Sequence, residues 1–156
     1  MPAGVEAART QRGDKIGGVA MSAEAFTTSQ QTVRRPAALV VDDDPDVRSL
    51  SVQHLADLGF RVLAAPNGPA ALKLLAGAEP IDLVFTDVIM PGGMTGFGVA
   101  DAAVARRPGV KIMFTTGYGG TATPHGQLRH MGAPMLHKPY TRKDLARAIQ
   151  QAFGAS

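Results

Sequence analysis

The sequence predicts an α/β fold in which a parallel sheet of five strands lies between layers of helices on both faces. Short apolar runs without alternation recur between residues 37 and 137, and such runs are typical of strands buried on both faces. The segments between them carry apolar residues at helical spacing. Strands that alternate with helices favour a parallel sheet with right-handed crossovers.

The first strand is predicted over Ala37–Val41, and a run of three acids, Asp42-Asp43-Asp44, follows it directly. Asp44 is a predicted N-cap and Pro45 a predicted first helical residue, since both residue types favour these positions. The helix is expected to end at Gly59. Its predicted inward face carries Val47, Leu50, His54, Leu55 and Leu58.

The second strand is predicted over Arg61–Ala65, and a turn at Asn67-Gly68 opens a second helix that stops near Gly77. Leu83–Phe85 form the third strand. This strand delivers a carboxylate, Asp87, into the Pro91-Gly92-Gly93 turn. The third helix presents Val99, Ala100, Ala103 and Val104 to the core and is broken at Arg107-Pro108-Gly109.

The fourth strand is predicted over Lys111–Thr115. Residues 116–132 are rich in glycine, so that any helix there should be short and easily frayed. Ala133–His137 form the fifth strand, Lys138-Pro139 a turn, and Thr141–Phe153 the last helix. The pattern therefore ends with the same strand-then-helix unit with which it begins.

Composition narrows the class of protein. A chain of 156 residues with 45% hydrophobic residues suits one compact domain, and the formal net charge is only +3. The sequence has no stripe of Lys and Arg of the kind that binds nucleic acid. Its longest apolar runs are shorter than the roughly 18 residues of a membrane span. The chain has no Cys, which is compatible with the cytoplasm. Residues 1–35 are predicted to be a disordered N-terminal extension, with Met21 an alternative start, and residues 36–156 the folded domain.

Polar side chains collect at one edge of the predicted sheet. The carboxyl ends of parallel strands lie on the same edge, where open α/β sheets bind ligands. Three carboxylates held close together repel one another and favour either a bound proton or a cation, and oxygen ligands select a hard ion such as Mg²⁺. A carboxylate there could also accept a phosphoryl group. The residues at this edge are Asp42, Asp43, Asp87, Thr115, Thr116 and Lys138.

Four short motifs, each at the end of a predicted strand, occur in the order found in the receiver domains of bacterial two-component response regulators, which the sequence therefore resembles. The motifs are Val41-Asp42-Asp43, Asp87 with Met90-Pro91, Thr116-Gly117 and Lys138-Pro139. The resemblance spans about residues 37–153 and implies a flavodoxin-like, doubly wound sheet with strand order 2-1-3-4-5. The glycines after Thr116 are more similar to stand-alone receivers and receivers of hybrid kinases than to those of transcription factors.

The resemblance also implies a role for each residue at this edge. Asp87 would be the phospho-acceptor, Thr116 the switch hydroxyl and Lys138 the cation that pairs with the phosphoryl group. Asp43 and Asp87 would bind Mg²⁺ together with the backbone carbonyl of Ile89, and Asp42 would support the metal through water. The Lys138-Pro139 peptide is expected to be cis.

Two features depart from the pattern of that family. Met135 stands where receivers commonly carry an inward-turning Tyr or Phe, and the Gly92-Gly93 loop is one residue longer than the commonest form. The usual aromatic read-out of phosphorylation is therefore not expected here.

The resemblance implies a single-domain response regulator. A histidine kinase or a histidine phosphotransfer protein would phosphorylate it, and it would signal through its helix 4, strand 5 and helix 5 face, through phosphorelay, or as a homodimer. Such a protein phosphorylates and dephosphorylates itself without being a turnover enzyme. The alternatives are an Mg²⁺-dependent phosphatase, which would need a second acid where Ile89 stands, and a pseudo-receiver that only binds a partner.

Two further groups of residues receive plain structural interpretations. Arg106-Arg107 is interpreted as a solvated pair of charges rather than a binding patch. His130 has no neighbour at a metal-ligand spacing, so that no metal role is predicted for it.

Overall fold

The computed structural model describes residues 34–117, 130 and 132–154. The predictions for residues 1–33, and for a helix between residues 118 and 129, fall outside these described residues. The boundary between extension and domain therefore stays a prediction. The elements in chain order are β1 (Ala37–Val41), α1 (Pro45–Asp57), β2 (Arg61–Ala65), α2 (Gly68–Ala76), β3 (Leu83–Asp87), α3 (Gly96–Arg106), β4 (Lys111–Thr116), β5 (Met135–His137) and α4 (Arg142–Gly154).

The five strands form one parallel sheet in the order β2-β1-β3-β4-β5, which confirms the predicted topology. The registers align the strand ends. Val41 pairs with Ala65 on one side and Thr86 on the other, and Asp87 pairs with Thr115. The residues that follow β1 and β3 therefore emerge at the same edge of the sheet.

A hydrophobic core lies on each face of the sheet. Side chains alternate along each strand, so that neighbouring residues enter different cores. Leu39 and Phe114 pack with residues of α2 and α3, whereas Val40 and Met113 pack with residues of α1 and α4. Because strands β1, β3 and most of β4 are buried on both sides, they carry apolar runs without alternation, and β3 and β4 have polar residues only at their ends.

The helix starts follow local sequence signals. The Asp44 side chain accepts hydrogen bonds from the backbone N–H groups of Asp46 and Val47, at 2.9 and 3.3 Å, and Pro45 is the first helical residue. This confirms the predicted cap. Asn67 caps α2 in the same way, with a hydrogen bond of 2.8 Å from the Ala70 N–H.

Two side chains predicted to face inward are instead exposed, Leu50 by 48% and Val104 by 45%. The prediction was wrong at these two positions, whereas Leu55, Val99, Ala100 and Ala103 are buried as predicted. The buried positions of α1 are Ser51 and Leu55, one turn apart, and Leu50 lies about 100° around the helix from Ser51. Val104 stands in the same relation to the buried Ala103.

The last strand is shorter than predicted. It begins at Met135 rather than Ala133, since Pro134 has no N–H to donate to a strand ladder. β5 is an edge strand, and among the described residues it pairs with Phe114, Thr115 and Thr116 of β4. Within the described ranges, no helix is long and apolar enough to cross a membrane.

A reciprocal pair of hydrogen bonds begins α4. The Asp144 N–H donates to Thr141 Oγ1 at 3.0 Å, and the Thr141 N–H donates to Asp144 Oδ2 at 2.9 Å. Hydrogen bonds to the Asp144 carboxylate, from the Thr141 backbone first and the Thr141 side chain second, lower the pKa of Asp144. The ionised carboxylate is therefore the form that stabilises the helix start.

We expect Asp144→Asn to lose stability relative to wild type at neutral pH, with a difference that shrinks in acid. The folded-state pKa lies below the ordinary value of 3.8. Stability contributed by the carboxylate is thus fully present above that value and is lost as the pH falls through the folded-state pKa. Urea unfolding of both proteins, followed by circular dichroism from neutral to acid pH, measures this. A difference that stays constant with pH would contradict the expectation.

Candidate functional site

The loop after β1 presents two carboxylates in different environments. Asp42 is 2% exposed, whereas Asp43 is exposed. Asp42 Oδ1 accepts a hydrogen bond of 3.0 Å from the Asp44 N–H, and the Asp42 carbonyl accepts one of 2.8 Å from the Arg48 guanidinium. Both contacts fix this loop and leave Asp42 Oδ2 directed toward the rest of the site.

Asp87 ends β3 and is 5% exposed. Its backbone is held closely, because the N–H of Val88 donates to the Thr115 carbonyl at 2.9 Å and the Gly96 N–H donates to the Val88 carbonyl at 2.8 Å. A Cβ atom on Gly96 would lie only 2.1 Å from the carbonyl oxygen of Asp87. The start of α3 therefore packs directly on the backbone that carries this acid.

Lys138 joins the two buried acids. Its Nζ lies 3.0 Å from Asp87 Oδ2 and 3.0 Å from Asp42 Oδ2. The contact with Asp87 is a hydrogen bond. Within the described part of the chain, Asp42 Oδ2 accepts no hydrogen bond of good geometry, so its contact with Lys138 is an ion pair. The Lys138-Pro139 peptide is cis, as predicted.

The electrostatic balance differs between the partners. Burial raises the pKa of Asp87, and the hydrogen bond and charge of Lys138 only partly oppose this rise. Burial would lower the pKa of Lys138, but its contacts with Asp87 and Asp42 outweigh burial and raise that pKa. The ammonium therefore stays charged at neutral pH and offsets the charge of the acids.

The acids fit a divalent cation. Asp42, Asp43 and Asp87 each offer a carboxylate oxygen within 4.8 Å of the others. Oxygen ligands of this kind suit Mg²⁺, and no described residue donates a hydrogen bond to the buried Asp42 Oδ2. The predicted role of the Ile89 backbone carbonyl as a metal ligand stays a prediction. The apolar Ile89 side chain cannot bind a metal, and the residue is 50% exposed.

The two threonines at the end of β4 are both buried. Thr115 is 2% exposed and Thr116 is 1% exposed. As neighbours on a strand they point to opposite faces. Thr115 Oγ1 has no hydrogen-bond partner among the described residues, in keeping with a packing role. The Thr116 carbonyl accepts a hydrogen bond of 2.9 Å from the Lys138 N–H, which places Thr116 beside the lysine in the sheet.

Met135 occupies the β5 position at which receivers commonly carry a Tyr or Phe. Met135 is partly buried and packs against the core that contains residues of α2 and α3. Its backbone pairs with Phe114, two residues before Thr116.

Sequence reasoning missed a polar contact beside the site. The hydroxyls of Ser51 and Tyr140 share a hydrogen bond, and burial raises the pKa of Tyr140. Ser51 is 1% exposed. It lies four residues from both Val47 and Leu55, so helical spacing could have indicated a hydroxyl on the inward stripe.

Two residues given plain interpretations have specific partners. His130 Nε2 lies 2.9 Å from Asp101 Oδ1, and its ring stacks on Phe97. Arg107 is not a solvated charge, since its guanidinium donates to backbone carbonyls at the end of α2 and in the loop that follows. Neither contact could be predicted without knowing which elements pack together.

Fold and site together define a class: a doubly wound α/β domain with an acidic metal-type cluster and a lysine at the carboxyl edge of its sheet. Comparison with known proteins makes the class specific. Residues 38–150 match the family model of the response regulator receiver domain. The chain belongs to the response regulator receiver family.

Individual relatives agree with this assignment. The chain is 34% identical over 118 residues to the response regulator receiver protein CpdR of Brucella abortus, covering 76% of this chain and 97% of CpdR. It also matches longer regulators, of which it spans 24% in one case and 48% in another.

Solved structures show the same fold. The response regulator TrrA of Thermotoga maritima, crystallised with Mg²⁺ and BeF, superposes with a TM-score of 0.64 at 28% identity, covering 75% of this chain and 98% of TrrA. The receiver domain of the hybrid histidine kinase CckA gives a TM-score of 0.59 at 32% identity, covering 74% of this chain and 97% of that domain. Similarity to stand-alone and hybrid-kinase receivers was the resemblance predicted from the sequence.

Proposed function

We propose that this receiver accepts a phosphoryl group on Asp87 from the phosphohistidine of a histidine kinase or a histidine phosphotransfer protein. The observation that carries the proposal is the position of Lys138, whose ammonium lies 3.0 Å from Asp87 Oδ2 and from Asp42 Oδ2. A cation held at the acid that is to be modified can pair with the incoming phosphoryl oxygens.

In the proposed reaction, a carboxylate oxygen of Asp87 attacks phosphorus and forms an acyl phosphate. The donor phosphohistidine carries a proton on its second ring nitrogen. The bond between phosphorus and the other ring nitrogen breaks, its electron pair stays on that nitrogen, and neutral imidazole therefore remains on the donor. Lys138 compensates the charge that now rests on Asp87. Thr116 is the proposed switch hydroxyl that donates to a phosphoryl oxygen.

A divalent cation belongs to this proposal. Asp43 and Asp87, with the Ile89 carbonyl, would hold Mg²⁺, and Asp42 would support it through water. When bound, Mg²⁺ withdraws charge from the phosphoryl oxygens. Asp42 and Asp43 supply the negative charge that draws the cation to Asp87.

The output in this proposal is a change in protein contacts. The surface includes β5 and α4, which correspond to strand 5 and helix 5 of the predicted interaction face, and relay to another histidine or a homodimer are further routes. The proposal places these events in the cytoplasm, with which a chain without Cys is compatible. It assigns no turnover activity and no direct nucleic-acid contact to the domain.

Incubation with acetyl phosphate and Mg²⁺, followed by intact mass spectrometry, tests the proposal. We expect one phosphoryl adduct on the wild type, none on Asp87→Asn, and none when a chelator removes the metal. Asparagine keeps the shape of the side chain but lacks the anionic oxygen that attacks phosphorus. Asp46→Asn is the matched control, because Asp46 is an exposed acid in the first turn of α1 and should leave the adduct unchanged.

Other outcomes would point to the alternatives. No adduct on the wild type would favour a pseudo-receiver, and an adduct that survives Asp87→Asn would refute the assigned acceptor. Steady release of phosphate from a phosphate monoester, which does not phosphorylate a receiver, would favour a phosphatase. The exposed apolar side chain of Ile89 supplies no acid for that reaction.

A further inference from the structure

We propose that Ser51 and Tyr140 are positioning residues that hold Lys138 between Asp42 and Asp87. The inference deepens the proposed function, because Lys138 serves there as the cation that pairs with the phosphoryl group. Neither hydroxyl touches the acids or the reacting atoms. Both would act through the placement of the lysine.

Tyr140 connects the lysine turn to two other elements. It lies two residues after Lys138, and its ring meets the ring of Phe85 edge-on at a centroid distance of 5.7 Å. Phe85 stands two residues before Asp87 on β3. The Tyr140 hydroxyl shares a hydrogen bond with the hydroxyl of Ser51 on α1.

Ser51 offers the hydroxyl a fixed partner. It is 1% exposed and lies on the buried stripe of α1, one turn before Leu55. A buried hydroxyl that loses its partner is costly, since water cannot replace the bond. The Ser51–Tyr140 bond is therefore maintained in the folded protein and ties the turn after β5 to α1.

The backbone of Lys138 is thus held on two sides. Its N–H donates to the Thr116 carbonyl of β4 at 2.9 Å, and Tyr140 anchors the following residues to α1. The lysine side chain is 21% exposed and contacts one carboxylate from the β1–α1 loop and one from β3. A long side chain reaches two such oxygens at once only when its own backbone is fixed.

Acylation of lysine amines, read by peptide mass spectrometry, tests the inference on the metal-free chain. The variants are Ser51→Ala, Tyr140→Phe and the double variant. Tyr140→Phe keeps the ring against Phe85 and removes only the hydroxyl. We expect Lys138 to react about two- to tenfold faster in all three, the range that corresponds to losing one hydrogen bond. The double variant should match the single variants, since all three remove the same bond.

Two controls separate positioning from general loosening. Ser49→Ala removes an exposed hydroxyl from the same helix and should leave the reactivity of Lys138 at the wild-type rate. Lys111, partly buried at the start of β4, should keep its rate in every variant. Wild-type reactivity of Lys138 in Tyr140→Phe, additive effects in the double variant, or a parallel rise at Lys111 would each overturn the inference.

The rate of phosphorylation by acetyl phosphate provides a second readout. Tyr140→Phe should slow the reaction in the wild-type background and should add nothing in a Lys138→Gln background, because its effect passes through the lysine. Equal slowing in both backgrounds would overturn the inference. A wild-type chain that takes no phosphoryl group would defeat the proposed function, while the acylation rates would still decide the role of Ser51 and Tyr140.

Discussion

Gly96→Ala is expected to lower the free energy of unfolding by about 3 kcal/mol or more, at or above the upper end of the usual cost of overpacking. The added Cβ would lie 2.1 Å from the Asp87 carbonyl oxygen, 2.9 Å from its carbon and 3.0 Å from Val88 Cα. All three are backbone atoms at the end of a buried central strand. They cannot move aside as a flexible side chain would, so either α3 or the end of β3 must shift.

Because that backbone also carries Asp87, the proposed acceptor, we expect the same variant to lose phosphorylation by acetyl phosphate. Gly98→Ala is the matched control, two residues further along the same helix. A Cβ there would meet only the flexible Met94 side chain, at 3.3 Å from Cγ. Replacing glycine by alanine inside a helix gains about 0.5–1 kcal/mol, and Gly98 lies in the first turn, where the gain is smaller, so this variant should be neutral or slightly stabilised. Equal stability of the two variants in urea unfolding would contradict the assigned close contact.

Arg107→Ala is expected to cost about 2–3 kcal/mol, comparable to one or two hydrogen bonds that involve a charged group. The guanidinium makes four contacts with three carbonyls. Nε and Nη2 donate to the Leu75 carbonyl at 3.2 and 3.0 Å, Nη2 also donates to Gly77 at 2.8 Å, and Nη1 donates to Glu79 at 2.8 Å. Carbonyls at the end of a helix lack partners within it, and a cation there also suits the helix dipole.

The neighbouring arginine supplies the control. Arg106 is exposed, and Arg106→Ala should change the free energy of unfolding by no more than about 0.5 kcal/mol. Arg107→Lys should fall between the two alanine variants, because a single ammonium cannot reproduce the planar fork of donors. Urea unfolding of the three variants measures the order, and a cost at Arg107 no larger than that at Arg106 would refute the proposed clamp.

The features that could be predicted from the sequence are those with local causes. Continuous apolar runs identified the strands, the Asp44-Pro45 pair identified the start of α1, and the order of the strand-end motifs supported the family and the sheet order. The predicted inward faces of α1 and α3 were wrong at Leu50 and Val104, because apolar character alone does not say which residue faces a neighbouring layer.

The contacts that could not be predicted join residues far apart in the chain. Ser51 and Tyr140 are 89 residues apart, and Arg107 reaches Leu75 across 32 residues. In the sequence each appears as an ordinary polar or charged residue. Their roles depend on which helices and turns become neighbours in the folded domain, and no local pattern records this.

The position of Lys138 has a consequence for the synthesis of the protein. Its partner Asp87 precedes it by 51 residues, and Asp42 lies earlier still. Domains are made from the N-terminus, so the ribosome releases both buried acids well before the cation that neutralises them. Pairing of β1 with β3 in a nascent chain without β5 would bring these carboxylates close together with no lysine between them, and their repulsion would oppose that pairing. Completion of the proposed phosphoryl site and completion of a stable sheet are therefore expected to coincide, as the last strand and helix leave the ribosome.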